Sequence, residues 1–387
     1  MLIQIHILQN YQPSNLNRDD TGSPKDAIFG GFLRGRISSQ CLKRSIRHSD
    51  VFKTFDEEGL LGKRTQMLPS LVNEKLNEMK IDERSISAIL SRLPEIVRGK
   101  TQTEGGEESG EVTEETKNES EEAATKADTK QLVFLDIKKE LTPFVERLHK
   151  AYNEIGAGKW ATAKLNEINK YLGESIPRSI DIAMFGRMTT AQAFKDVQAA
   201  VQVAHALSTN ALKQEFDYYT AMDDLKPDSE PGADMIGDIE FNSCTYYKYL
   251  NVHWEELVKN LGGDKDIARR AVQALLEAAA LSHPSGKQNT FGAFNLPDFM
   301  LVEVSERNLP VSYANAFLKP VSGFGEKSLM ANSVKQLSDY VDRLSKVYNL
   351  QPQRAYITTD DLPFLDIKPN AALEDLKKWI DPHLIRV

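Results

Sequence analysis

The chain has 387 residues, 41% hydrophobic and 27% charged, which supplies a large buried core and excludes global disorder. The formal charge of -8 is concentrated in residues 101–131, where ten acidic residues stand against three lysines, so the rest of the chain is nearly neutral. Two cysteines, Cys41 and Cys244, without CxxC spacing exclude a disulfide scaffold and a zinc ribbon. Without an apolar run of roughly 18 residues or a basic leader with a small-residue cleavage site, a cytoplasmic protein with no membrane partner is expected.

Near the amino terminus Ile3, Ile5 and Ile7 alternate with Gln4, His6 and Leu8, which predicts a half-buried strand. From Tyr11 to about Arg36 the many Pro, Asn and Gly residues read as a long loop. In SSQCLKRSIRHS, Ser38 or Ser39 can cap a helix. At about 100° per residue, Gln40, Lys43, Arg44 and Arg47 then share one arc and Leu42 and Ile46 point away. Residues 32–48 hold Arg34, Arg36, Lys43, Arg44 and Arg47 and no acid.

Residues 60–100 and 132–172 read as short helices. Between them the acidic segment has Val112 as its single apolar residue larger than alanine, too little burial to offset ordering entropy, and disorder is expected. The spacing of Phe194, Val197, Val201 and Ala204 predicts a helix over 189–209, followed by a protruding hairpin or long loop. Strands are then predicted over 239–252 and 299–304, with an alanine-rich helix at 264–282 between them. This order indicates an α/β fold with a long helical excursion, and a ferredoxin-like core fits it.

Cations, Ser and Gln side chains, glycines and a helix N-terminus converge in the segment from Asn17 to Arg47, and these groups bind phosphate oxygens. A nucleic-acid or phosphate role is set against a merely solvated basic face. Phe216, Tyr218 and Tyr219 lie in an otherwise polar stretch, where aromatics either stack on unpaired bases or tuck under their own loop. Lys287, Gln288 and Asn289 follow Gly286 in a second loop able to meet a nucleic-acid backbone. GFGEKS at 323–328 fails the phosphate-loop spacing. The seven histidines show no HExxH or HxH spacing, so no metal, cofactor or catalytic residue is expected, and His205 reads as a packed side chain. Asp19, Asp20, Asp26, Asp223 and Asp224 are conceivable magnesium ligands, but pairing with Arg18 and Lys25 or turn capping is the simpler role.

The block PSNLNRDDTGSPKDAIFGGFLRGRISSQCLKRSIR resembles the guide-RNA-binding backbone subunits of the type I-E CRISPR Cascade complex, the CasC family. IDIAMFGRMTT at 180–190, FDYYTAMDDL at 216–225, GKQNTFGAFN at 286–295 and LPVSYANAFLKPV at 309–321 agree in order. The resemblance is strong over the first 50 residues and good over 175–321, and elsewhere holds only in position and character. It implies an α/β fold with a modified RNA-recognition-motif (ferredoxin-like) palm over 1–57, 179–209 and 239–387. It also implies helical fingers at 58–178, interrupted by the insert 101–131, and a thumb hairpin at 210–238.

By the same resemblance, Lys25, Ser38, Gln40, Lys43, Arg44 and Arg47 would hold guide phosphates, and Asn17 and Arg18 would shape the groove. The thumb carries Tyr218 and Tyr219, Met188 and Tyr219 would flank a kink in the guide, and Lys287 and Gln288 would meet the adjoining backbone or a neighbouring thumb. The implied protein is non-enzymatic. It polymerises head to tail with copies of itself along CRISPR guide RNA, displaces bases at intervals, and presents the guide to target DNA. Its other partners would be the large, small, 5′-end cap and guide-processing subunits of Cascade. The alternative is a metal-dependent target-RNA endoribonuclease using Asp26 or Asp20.

Overall fold

The first strand, β1 (Leu2–Ser14), runs well beyond the alternating isoleucines, and its pairing register shifts between Tyr11 and Ser14. Pro13 sits in that irregularity, where a missing N–H breaks no regular ladder bond. The computed structural model describes residues 1–98, 133–173, 177–189, 194–221, 235–323, 328–359 and 363–385. The expected disorder of 101–131 thus lies outside the described residues.

Two compact units are present, one formed by Met1–Glu57 with Ala200–Val387 and the other by Glu58–Ala199. Residues 179–199, expected with the sheet, therefore group with the helices. In the first unit the predicted long loop contains a hairpin of β2 (Asp26–Phe29) and β3 (Phe32–Ile37). Its two-residue turn is Gly30–Gly31, with φ of 62° and 82°, as hairpin turns of this length require. A Cβ on Gly30 would also lie 2.1 Å from the Leu318 carbonyl oxygen.

Helix α1 (Ser39–Arg47) follows, as its capping serine and two-sided pattern predict. In the second unit, β4 (Lys63–Thr65) pairs with β5 (Val133–Leu135). The helices Leu68–Glu78, Glu83–Arg98, Thr142–Ile155 and Leu165–Leu172 bury Val72, Ile89, Leu93, Phe144, Leu148 and Trp160 in one cluster. The buried Arg187 guanidinium forks onto Glu140 at 2.7 and 3.0 Å and donates to the Lys195 carbonyl at 2.7 Å. That fork ties the segment after 179 into this unit.

Among the described residues of 189–209 the predicted helix does not form. Its place is taken in part by β6 (Val201–Val203) and β7 (Ala206–Ser208). Buried Val201 and Val203 flank exposed Gln202, a period of two that outweighs the helical spacing once β6 pairs with a longer strand. That strand is β9 (Met235–His253), whose amino-terminal part pairs with β8 (Glu215–Ala221) as a two-stranded arm. Strands β10 (Phe299–Ser305) and β11 (Gln353–Thr358) complete the sheet.

Its order is β11-β10-β1-β9-β7-β3-β2, with β6 and β8 also paired to β9 and all neighbours antiparallel. The helix Lys265–Leu281 lies in sequence between β9 and β10. It packs against α1, Asp50–Glu57 and Leu373–Ile385.

Strand β1 is buried on both sides rather than one. Leu8, Tyr247, Tyr249, Phe299 and Leu301 are covered by Val334, Leu337 and Val341 of the helix Leu329–Tyr348. Gln4 and His6 therefore lie in the interior, hydrogen-bonded to Tyr249 and Tyr247, with His6 Nε2 3.3 Å from Glu303, which in turn accepts from the Tyr313 hydroxyl. Carboxy-terminal residues that show no alternation of their own supply this cover.

Candidate nucleic-acid interface

Helix α1 has the two faces its sequence indicates. Leu42 and Ile46 are buried, Gln40 and Arg44 are exposed, and Lys43 and Arg47 are half-buried. Ser38 is the N-cap, its Oγ accepting from the Cys41 amide at 3.2 Å, so one of the free amides of the first turn is satisfied. Asn17 fixes the same end from outside, its Oδ1 accepting from the Ser38 N–H at 2.8 Å. Ser38 and Asn17 are thus internal struts of the basic face.

The Asn17–Lys25 loop is folded on Asp19. Its Oδ1 accepts from the Thr21 amide, the Thr21 hydroxyl and the Ser23 amide at 2.9, 2.8 and 3.0 Å. The hydrogen bond from the Thr21 hydroxyl leads the group of contacts that hold this carboxyl below its usual range. Lys25 is pinned at its backbone, donating to the Asn17 carbonyl and accepting from the Arg36 amide. Arg36 in turn donates from Nε to the Asp26 carbonyl at 2.8 Å and meets His205 Nδ1 at 3.3 Å. Burial first, then the charges of Arg36 and Lys25, lower the His205 pKa. Arg36 and His205 therefore join Lys25 at one place, and His205, expected as a packed side chain on a helix, is exposed in the connection between β6 and β7.

A shallow groove runs between this loop and the turn after the alanine-rich helix, lined by the loop from Leu16 to Gly22, its carboxylates Asp19 and Asp20 included, and by Cys41, Ser285 and Gly286. The approach is close: a Cβ on Gly286 would lie 2.2 Å from the Leu16 carbonyl oxygen, so only glycine fits. Lys287 follows in the left-handed region at φ 49°. Gln288 donates its amide hydrogens to the Pro284 and Ala293 carbonyls at 2.9 and 3.0 Å and closes the loop on itself.

Not every basic residue of 32–48 reaches this surface. Arg34 is fully buried, and donates from Nη1 to the Ser208 and Thr209 carbonyls at 2.9 and 2.8 Å and from Nη2 to that of Phe317 at 2.6 Å. It belongs to the core, and it anchors the β2–β3 hairpin.

The chain matches the CT1975-like protein family over residues 3–381. It belongs to that family. The CT1975-like chain is also similar to a solved structure described as "CRISPR RNA-guided surveillance complex, pre-nicking", with a TM-score of 0.75 and 28% identity over 99% of this chain and 100% of that one. A second structure, "CRISPR RNA-guided surveillance complex", shares the fold at a TM-score of 0.57 and 23% identity over 99% of each chain. None of the curated protein sequences compared with it matches.

The remaining predicted positions of this CT1975-like protein belong to other segments than α1. Tyr218 and Tyr219 are on β8, opposite Asp238 and Gly237. Tyr218 is exposed together with Phe216, its neighbour on the same face, at 65% and 63%. Tyr219 leans over Gly237, where an added Cβ would come within 2.6 Å of its ring. Met188 is 94% exposed and belongs to the other unit. Asp20 is exposed and Asp26 is a strand residue of the hairpin. Among the described residues no three His, Cys, Asp or Glu side chains form a group that could hold a metal ion. No helix among them is long and apolar enough to cross a membrane.

Proposed function

We propose that this chain is a non-enzymatic backbone subunit of a CRISPR surveillance complex of the CasC kind, gripping guide RNA along the α1 groove. The observation that carries this reading is the cationic arc of Gln40, Lys43, Arg44 and Arg47 on a capped helix, set beside Lys25 and the Gly286–Lys287 turn, in a fold shared end to end with a chain of such a complex. The sheet lends support. Strands β10, β1, β9 and β6 lie in the order of an RNA-recognition motif, with α1 between the first and second strands of that motif and Lys265–Leu281 between its third and fourth. In this reading the β8–β9 arm is the thumb and unit Glu58–Ala199 the fingers.

The protein grips backbone and geometry, while pairing between guide and target DNA reads sequence. Copies associate head to tail through a contact that does not close, and so form a filament along the RNA beside the other Cascade subunits. Single-stranded RNA held at about five phosphates per copy gives a log–log salt slope of roughly -3.5. Lys43→Ala and Arg47→Ala each flatten it by about 0.7. An unchanged slope in the double variant would remove the groove from the reading. In the same assay magnesium leaves the RNA intact; a magnesium-dependent cut lost in Asp26→Ala would establish the endoribonuclease instead.

A further inference from the structure

Below the groove lies a lysine that the proposed contacts do not use. Lys248 stands opposite Ile7 across β1 and β9, so its side chain leaves the sheet on the face of Ile3, Ile5 and Ile7, and it is only 2% exposed. Its Nζ donates to Gln9 Oε1 and to the Tyr11 hydroxyl, and lies 5.5 Å from the centre of the Tyr11 ring. Among the described residues no carboxylate is paired with it.

The titratable groups facing it are neutral or basic in character. Tyr11 comes from β1, Cys41 from α1, His283 from the turn after Lys265–Leu281, and Tyr246 and Cys244 from its own strand. Cys41 lines the groove and feels Arg44, Lys248 and Lys25 together. A buried ammonium without a counter-charge is costly.

We propose that Lys248 is a positioning residue beneath the guide groove whose missing counter-charge is supplied by RNA phosphates, so that RNA binding draws a proton onto it. This rests on the reading of the groove as an RNA site. Burial, the largest influence, brings its pKa down to about 7 and the neighbouring Cys41 acts the other way; phosphates brought to the groove that Cys41 lines add negative charge on that same side. The bound pKa then exceeds the free one. Affinity is therefore full below the free value and falls as pH rises through it towards the bound value, by up to about tenfold per pH unit of the shift.

The same ammonium holds the groove wall. Through Gln9 and Tyr11 it connects with the 283–295 turn, since Gln9 Nε2 donates to the Asn295 carbonyl and the Tyr11 hydroxyl meets His283 Nδ1 at 3.3 Å. The test is calorimetric titration of the full chain with a synthetic mixed-sequence single-stranded RNA between pH 6 and 9, in two buffers of different ionisation enthalpy. The expected result is fractional proton uptake per subunit above pH 7 with weakening affinity. Lys248→Met should abolish the uptake and keep the salt slope, and His205→Gln should leave the uptake above pH 7 in place. Binding without proton uptake in the wild-type chain, uptake that survives in Lys248→Met, or uptake lost in His205→Gln would overturn the proposal. Failure to bind this RNA at any pH would instead remove the groove reading, and this proposal with it.

Discussion

Arg34 and Arg44 are ten positions apart in the same acid-free stretch, and their neighbours decide what each does. The Arg34 guanidinium, whose pKa burial lowers, satisfies carbonyls from two separate segments, 208–209 and 317–318. Arg34→Met removes the guanidinium donor from these carbonyls, of which that of Thr209 keeps the Val321 amide, and is expected to cost on the order of 3 kcal/mol. Arg44 is exposed, and Arg44→Ala should change stability by less than about 0.5 kcal/mol while flattening the salt dependence of RNA binding by about 0.7. Urea unfolding and RNA titration at several salt concentrations distinguish the two. The helical arc was legible in residue types because period and charge act locally. The burial of Arg34 was not, because its acceptors are remote carbonyls that leave no mark near residue 34.

Among the elements, α1 is the one on which the interface depends, and it has only nine residues. A helix this short is marginal on its own, so its cap and its packing hold it. Ser38→Ala removes the acceptor for the Cys41 amide and should cost about 1 kcal/mol, with guide affinity falling because the phosphate-binding side chains lose a fixed helix end. Thermal unfolding together with RNA titration checks both effects. A lower melting temperature with unchanged affinity would mean that the RNA re-forms the helix end by itself. The cap was readable from the SS pair before an amphipathic run. The β2–β3 hairpin was hidden because its strands are four and six residues long and carry charged and apolar residues without clear alternation. Gly30–Gly31 was its one local signal. The stretch 189–209 misled for the opposite reason, since a three-four spacing was present but β9 offered a better partner.

At the largest scale, the sheet of the unit formed by Met1–Glu57 and Ala200–Val387 is covered on both faces, and the covered second face brings a cost that sequence alternation conceals. Gln4, His6 and Glu303 would be ordinary on an open sheet; here Leu329–Tyr348 and the segment around Tyr313 enclose them, and they must satisfy one another. Glu303 accepts from the Tyr313 hydroxyl at 2.9 Å and from Arg354 Nε at 2.6 Å, with His6 Nε2 at 3.3 Å. Burial acts to raise its pKa, but His6 and Arg354 outweigh it and the net shift is downward. A depressed carboxylate contributes stability that is complete above its unfolded value of about 4.3 and is lost as pH falls through the lower folded value. Unfolding midpoints in urea should therefore drop below about pH 4.3 in the wild-type chain. Glu303→Gln should be less stable near neutrality by on the order of 3 kcal/mol, because Arg354 loses its carboxylate, and its acid limb should be flatter. An acid limb of unchanged steepness in that variant would place the acid-labile carboxylates elsewhere in the fold.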